Sequence, residues 1–330
     1  MNTFLWKLQL KHENTKFHQI FFWCLGVLVA GFLFFSCNRG SFTADLSDTP
    51  TSGDIKISVD ESYQPLIDSQ VSTFVLLYTL AKVSPQYKPE AGVIADLLND
   101  SVKVIVANRK LTPEQEKYLN SKKCFPKTTK IAIDAVAIIV NNENADSLLT
   151  LNQLREIITG NISTWNQLNN KNKLDSILIV FDNSSSGNTR FLKEKFLGKM
   201  NFPSNCFAVK TNPEVINYVK EHKNAMGVIA VNWISDFDDS ASENFRQSIR
   251  VVALQDESSP EHHDYYKPYQ AYIALNQYPL VRDVYIISRE SRMGLGTGFA
   301  SFVAGDKGQR IVRLAGLLPA TVPVRIIKTE

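Results

Sequence analysis

Three short polar runs, each following an apolar run, hold the residues whose types and spacing could do chemistry. The richest is Asp182-Asn183-Ser184-Ser185-Ser186-Gly187-Asn188-Thr189. Ser184, Ser185, Ser186 and Thr189 offer hydroxyls. Where such a run opens a helix, the first backbone amides, Gly187 among them, lack intrahelical partners and sit at the positive end of the helix dipole. That arrangement suits an oxyanion and needs no lysine. The second run is Asp60-Glu61-Ser62, with Ser62 as a cap and donor, and the third is Asn108-Arg109-Lys110, where Arg109 offers a planar fork for an oxyanion. Asp60, Glu61 and Asp182 are candidate acceptors for a proton carried by the ligand.

Other patterns point away from catalysis. Ser184 to Gly187 lacks the leading glycine of a nucleophile elbow, and no His/Asp arrangement accompanies it. Gly294-x-Gly296-x-Gly298 is not the dinucleotide fingerprint, which needs another glycine spacing and an early strand. Glu261-His262-His263-Asp264 has metal-like composition without helical spacing and reads as a solvated loop, so no metal or cofactor is expected. Tyr265, Tyr266, Tyr269 and Tyr272 read as packing residues. Cys124 and Cys206 are two buried thiols or, in an exported protein, a disulfide.

The elements that position these runs alternate between strand and helix patterns, which implies α/β architecture with mostly parallel sheets. Strands are expected at 55–59, 102–107, 131–140, 177–181, 226–231, 250–254, 271–275 and 284–287. Helices are expected at 63–82, 111–119, 150–159, 190–197, 213–222 and 299–314. Thr112-Pro113 with Gln115 and Thr150 with Gly160 mark helix ends. In such sheets ligands sit beyond the carboxyl ends of strands, where all three polar runs fall.

The chain has 330 residues and a net charge of +3. The leader contributes Lys7, Lys11 and Lys16 against Glu13, so the body carries +1. This near-neutral body argues against nucleic-acid binding by phosphate neutralisation. Residues 20–35 carry no charge and follow the three lysines, as in the apolar region of a signal peptide. The run ends in Ser36-Cys37, which resembles a bacterial lipobox with Cys37 as the lipidated residue. The other reading is an uncleaved anchor helix with the lysines on the cytoplasmic side. Both place the body outside the cytoplasmic membrane, beyond a flexible tether at residues 38–53.

Several segments, taken in order, resemble the phosphate-binding proteins of bacterial phosphate ABC transporters. They are residues 131–168, SSSGNTRF at 184–191, residues 102–119, 278–287 and 302–319. The resemblance spans about residues 53 to 323. It implies a two-lobed type II periplasmic-binding-protein fold, with residues 54–135 plus 271–330 as one lobe and 136–270 as the other. It implies capture of an oxyanion, foremost inorganic phosphate, between the lobes by a monomer that delivers it to a permease, and no enzyme activity. The chain departs from the family at Asp182, where an arginine is usual, at Asp60-Glu61-Ser62, and at Pro89-Glu90-Ala91-Gly92, which replaces a Ser-Gly-x-Gly stretch. The alternatives are a ligand-free interaction or sensor protein on the same fold and an exported phosphate-ester hydrolase using the serine loop.

Overall fold

The computed structural model describes residues 48–236, 239–258 and 264–321. The leader with Cys37 and the Glu261–His263 run lie outside the described residues. Strand β1 (Gly53–Asp60) buries its last four residues and leads through one 3₁₀ turn into α1 (Gln64–Leu77), which carries Pro65 in its first turn. Strand β2 (Ala81–Lys88) lies parallel to β1 at the sheet edge, where Pro85 costs no ladder bond to a second neighbour. It occupies residues that the helical pattern to Lys82 did not foresee. Helix α2 (Glu90–Leu98), β3 (Val104–Ala107) and α3 (Pro113–Ser121) follow. At α3 Thr112 and Gln115 form a reciprocal capping box.

Strand β4 (Lys127–Asn141) is the longest element, and after it come β5 (Leu148–Thr150) and α4 (Leu151–Thr159). Helix α4 starts at a Thr150/Gln153 capping box and ends at Gly160, whose φ of 84° is a left-handed cap that a side chain would strain. Next are α5 (Trp165–Leu168), β6 (Leu178–Phe181) and α6 (Gly187–Leu192), which continues as a π turn to Leu197. Then come β7 (Cys206–Ala208), α7 (Asn212–Glu221), β8 (Ala225–Ala230) and α8 (Ser240–Ser248).

The expected strand at 250–254 is two strands on different partners, β9 (Ile249–Val251) on β4 and β10 (Ala253–Gln255) on β5. The expected strand at 271–275 is a helical turn, α9 (Gln270–Ala274), because a short apolar run fits either period. After β11 (Val281–Ser288), the expected single C-terminal helix divides at Gly305 into α10 (Leu295–Ala304) and α11 (Asp306–Leu314), before β12 (Leu318–Pro319). A β-carbon at Gly298 would overlap the Pro50 carbonyl, and Asp48 accepts the Leu295 amide at 2.8 Å. The end of the tether segment therefore lies against the start of α10.

The main sheet runs β2-β1-β3-β11-β4-β8-β6-β7. Its two wings, β2-β1-β3 and β8-β6-β7, are parallel, and both join the antiparallel strands β11 and β4. Strand β4 serves both wings. Residues 127–135 pair with β11, and residues 136–140 pair with β8. At this change of partner Asp134 is fully buried opposite Arg282 of β11. The Arg282 Nε and Nη2 donate to Asp134 Oδ2 at 3.0 and 2.8 Å, the Tyr63 hydroxyl donates to the same oxygen at 3.3 Å, and the guanidinium lies over the Tyr63 ring. Burial raises the Asp134 carboxyl above its ordinary range against the pull of Arg282. Cys124 and Cys206 are both free and half-buried, and burial pushes the Cys206 thiol up to about 12. Tyr272 packs against Tyr266 and Tyr269, while Tyr265 and Tyr269 are exposed.

Removing one member of a buried ion pair leaves an uncompensated charge, which costs about 3–5 kcal/mol, whereas replacing both by apolar groups is far cheaper. Urea unfolding should show Arg282→Ala destabilised by about that amount and Asp134→Leu/Arg282→Met destabilised less. A single variant no worse than the double would remove the pair from its role at the shared strand.

Candidate functional site

The carboxyl ends of β1, β3 and β6 converge with the N-termini of α2, α6 and α7 on one network of hydrogen bonds, with two sides that face each other. Asp60, the last residue of β1, is 1% exposed. Its Oδ1 accepts the Ser62 amide at 3.1 Å and its Oδ2 accepts Asn108 Nδ2 at 3.0 Å. The end of β1 is thus tied to the loop after β3. Ser62 is fully buried and its hydroxyl has no hydrogen-bond partner among the described residues. Arg109 donates from Nε to Glu90 Oε1 at 3.3 Å and from Nη1 to Gln115 Oε1 at 3.1 Å and the Lys110 carbonyl at 3.0 Å.

On the other side the loop after β6 is built by its own polar side chains. Asn183 accepts the Ser185 amide on its side chain and the Ser186 amide on its carbonyl. Ser186 caps α6 by accepting the Thr189 amide at 3.2 Å, and donates its hydroxyl to Asp182 Oδ1 at 2.6 Å. The Thr189 hydroxyl donates to the Asn183 carbonyl at 2.6 Å. Both hydroxyls thus shape the loop. Ser184 and Ser185 are exposed at its outer turn. The amides of Gly187 and Asn188, in the first turn of the helix, have no hydrogen-bond partner among the described residues. Asp182 is also held by Asn188 Nδ2 at 3.0 Å and Asn212 Nδ2 at 3.3 Å.

The two sides touch. A β-carbon at Gly187 would overlap Asn108 Nδ2 and stand 2.7 Å from Asp60 Oδ2. The Ala91 amide donates to the Ser185 carbonyl at 3.2 Å, and Asn212 donates through its backbone and side-chain nitrogens to the Glu61 carboxylate. Arg190 of α6 reaches Glu90 of α2 with Nε at 2.6 Å and Nη2 at 3.1 Å, and also bonds Asn108 Oδ1. The structure therefore brings Asp60, Glu61, Ser62, Asn108, Arg109, Asp182, Ser186, Gly187 and Thr189 into one polar network, with Ser184 and Ser185 exposed at its edge. Glu90, Arg190, Asn188, Asn212 and Arg282 belong to the same network but were not among the expected site residues, although all except Asn212 lie in segments that carry or break the family resemblance, Pro89-Glu90-Ala91-Gly92, 184–191 and 278–287. The Pro89-Glu90 helix start and the position of Arg190 one turn after the Ser186 cap are further local signals.

The electrostatics are unusual for their balance. Burial raises Asp60 to about 7, with Glu90 adding to the rise. Burial likewise lifts Glu61 to about 8, against the pull of its bonds from Asn212, and Asp182 to about 6, against the Ser186 bond. Three carboxyls can therefore hold a proton near neutral pH, each able to donate or accept a hydrogen bond. With the two unbonded amides, the Ser62 hydroxyl and two guanidinium groups, the cleft can bind an oxyanion that is itself partly protonated. Among the described residues no group of three or more His, Cys, Asp or Glu side chains is arranged to hold a metal ion.

Because these three values lie above the ordinary carboxyl range near 4, the native state binds more protons than the unfolded chain between that range and about 6 to 8. Their stabilising contribution is complete below the ordinary range and is lost as pH climbs through the raised values. The thermal midpoint of the ligand-free protein should fall between about pH 5 and pH 8.5, and Asp182→Asn should flatten that fall. A midpoint that rises over this window would contradict the assignment.

A family model described as "PBP superfamily domain" matches residues 46–307. The phosphate-binding protein PstS of Staphylococcus aureus is 25% identical over 277 residues, covering 82% of this chain and 79% of that protein. Among solved structures, a putative phosphate ABC transporter substrate-binding protein with bound phosphate from Clostridium perfringens has a TM-score of 0.69 at 20% identity, covering 82% of this chain and 100% of that one. An ABC-type phosphate transport receptor from Vibrio cholerae has a TM-score of 0.61 at 20% identity, covering 81% and 100%. These likenesses show the two-lobed type II fold.

Proposed function

The chain belongs to the PBP superfamily domain family, and from that membership we propose that it captures an oxyanion, foremost inorganic phosphate, outside the cytoplasmic membrane and delivers it to an ABC-type permease. The relatives named as phosphate-binding proteins support the ligand class. The observation that carries the reading is the close approach of Gly187, at the head of α6, to Asp60 and Asn108 across the cleft. In this reading the amides of Gly187 and Asn188, the Ser62 hydroxyl, Asn108 and the forks of Arg109 and Arg190 hold the anion. Ser186 and Thr189 fix the loop that presents those amides, and Ser184 and Ser185 stand at the entrance. Asp60, Glu61 and Asp182 exchange hydrogen bonds with the ligand's proton, a contact that fully ionised sulfate cannot return.

The lobes are residues 54–135 with 271–330 and residues 136–270, a division supported by the change of β4 partners between Ala135 and Val136. The body works as a monomeric binding protein without turnover, tethered through the leader by lipidated Cys37 or by an anchor helix. Binding would draw the lobes together, stabilising the closed form by contacts made only there.

Titration calorimetry with inorganic phosphate tests the reading. Wild type should bind phosphate in preference to sulfate, and Gly187→Ala, whose methyl would collide with Asn108, should weaken phosphate by roughly tenfold or more. Equal phosphate affinity in the two proteins would take the loop out of the site.

A further inference from the structure

Every guanidinium in the cleft already has a carboxylate. Arg282 is bonded to Asp134, and both Arg109 and Arg190 converge on Glu90. Glu90 is 2% exposed at the start of α2, on one side of the cleft. Arg190 comes from α6, on the other side, and its Nε and Nη2 take the two carboxylate oxygens at 2.6 and 3.1 Å. This two-pronged grip is how an arginine holds a planar oxyanion ligand. The next residue, Ala91, donates its amide to the Ser185 carbonyl of the anion loop, so the helix that supplies Glu90 is itself seated on that loop.

We infer that Glu90 is an internal competitor for the ligand, a specificity-determining residue whose carboxylate fills the arginine fork that an incoming anion needs. The inference rests on the anion-capture reading above. Exchanging Glu90 for a ligand replaces one charge-assisted pair by another, so a small monocarboxylate gains nothing by entering. An oxyanion with more charge and more acceptor oxygens gains the fork together with the Gly187 and Asn188 amides, which a carboxylate fixed to α2 does not reach in this structure. Glu90 thereby raises the concentration at which the site fills and screens out weaker anions. It also ties α2 to α6 across the cleft.

Calorimetry of the full chain with inorganic phosphate and with acetate decides the matter. Glu90→Gln, with the carboxylate gone, should bind phosphate roughly tenfold tighter than wild type, and Glu90→Gln/Arg190→Gln should lose that gain. Acetate binding should become measurable in the single variant. Should Glu90→Gln fail to fold, Glu90→Asp, which keeps the charge and withdraws it by one methylene, should also tighten phosphate. Phosphate binding by wild type with no gain in a folded Glu90 variant overturns the competitor role alone. Binding by neither protein overturns anion capture and this inference with it.

Discussion

Burying carboxylates together beyond the carboxyl ends of the strands is the constraint around which this structure is arranged. An ionised acid removed from water is tolerated only with hydrogen bonds or an opposite charge to replace its hydration. Here Asp60, Glu61, Glu90, Asp134 and Asp182 meet three arginines. Arg282 is committed to Asp134 on the strand that both wings of the sheet share. Glu90 takes the other two. Asp60, Glu61 and Asp182 are left to neutral donors, namely Asn108, Asn188, Asn212, Ser186 and backbone amides. Neutral donors satisfy a carboxylate's lone pairs without cancelling its desolvation, so these three take up protons near neutral pH. Because each of the three guanidinium groups is paired with a carboxylate, the site offers no uncompensated positive charge that would hold any anion indiscriminately.

The parts of this arrangement that were legible in the sequence are those set by local rules. The Thr112/Gln115 box, the Thr150 cap and Gly160 fixed helix ends because each is decided within four residues by hydrogen bonds the segment makes with itself. The long apolar run of β4 could be read as a strand, but not its change of partner at residue 136, which depends on β11 and β8. Where length did not separate the two periods, as at α9, the assignment failed, and Pro85 hid an edge strand. In the cleft, the strand-end runs stood out by composition. Their partners did not, since Arg190 and Glu90 are 100 residues apart and Asn212 and Glu61 are 151 apart. Such pairings are products of topology and leave no periodic trace.

The hydroxyl-rich loop shows why composition identifies a place more readily than it assigns roles. Ser186 and Thr189 suggested donors to a ligand, yet their protons go to Asp182 and the Asn183 carbonyl. An aspartate at the end of β6 needs a donor to stay buried, and Ser186, the helix cap four residues on, is the nearest one. With those two hydroxyls spent, the donors left at the head of α6 are main-chain amides, whose direction is set by its first turn. Gly187 then matters for its missing side chain, because that turn lies directly against Asn108.

A cleft held shut by its own side chains changes what a ligand must supply. In a two-state hinge, an anion favours the closed form only by contacts absent from the open one. Here Arg190–Glu90, Glu61–Asn212 and Ala91–Ser185 join the two sides, so part of the closing free energy comes from the protein itself. A ligand that displaces Glu90 must first break the strongest of these bridges, and its observed affinity is the remainder. Pre-closure therefore favours the ligand with the greatest number of simultaneous contacts over one that merely carries charge. The acids that look unsuited to an anion site are, on this account, what makes it selective.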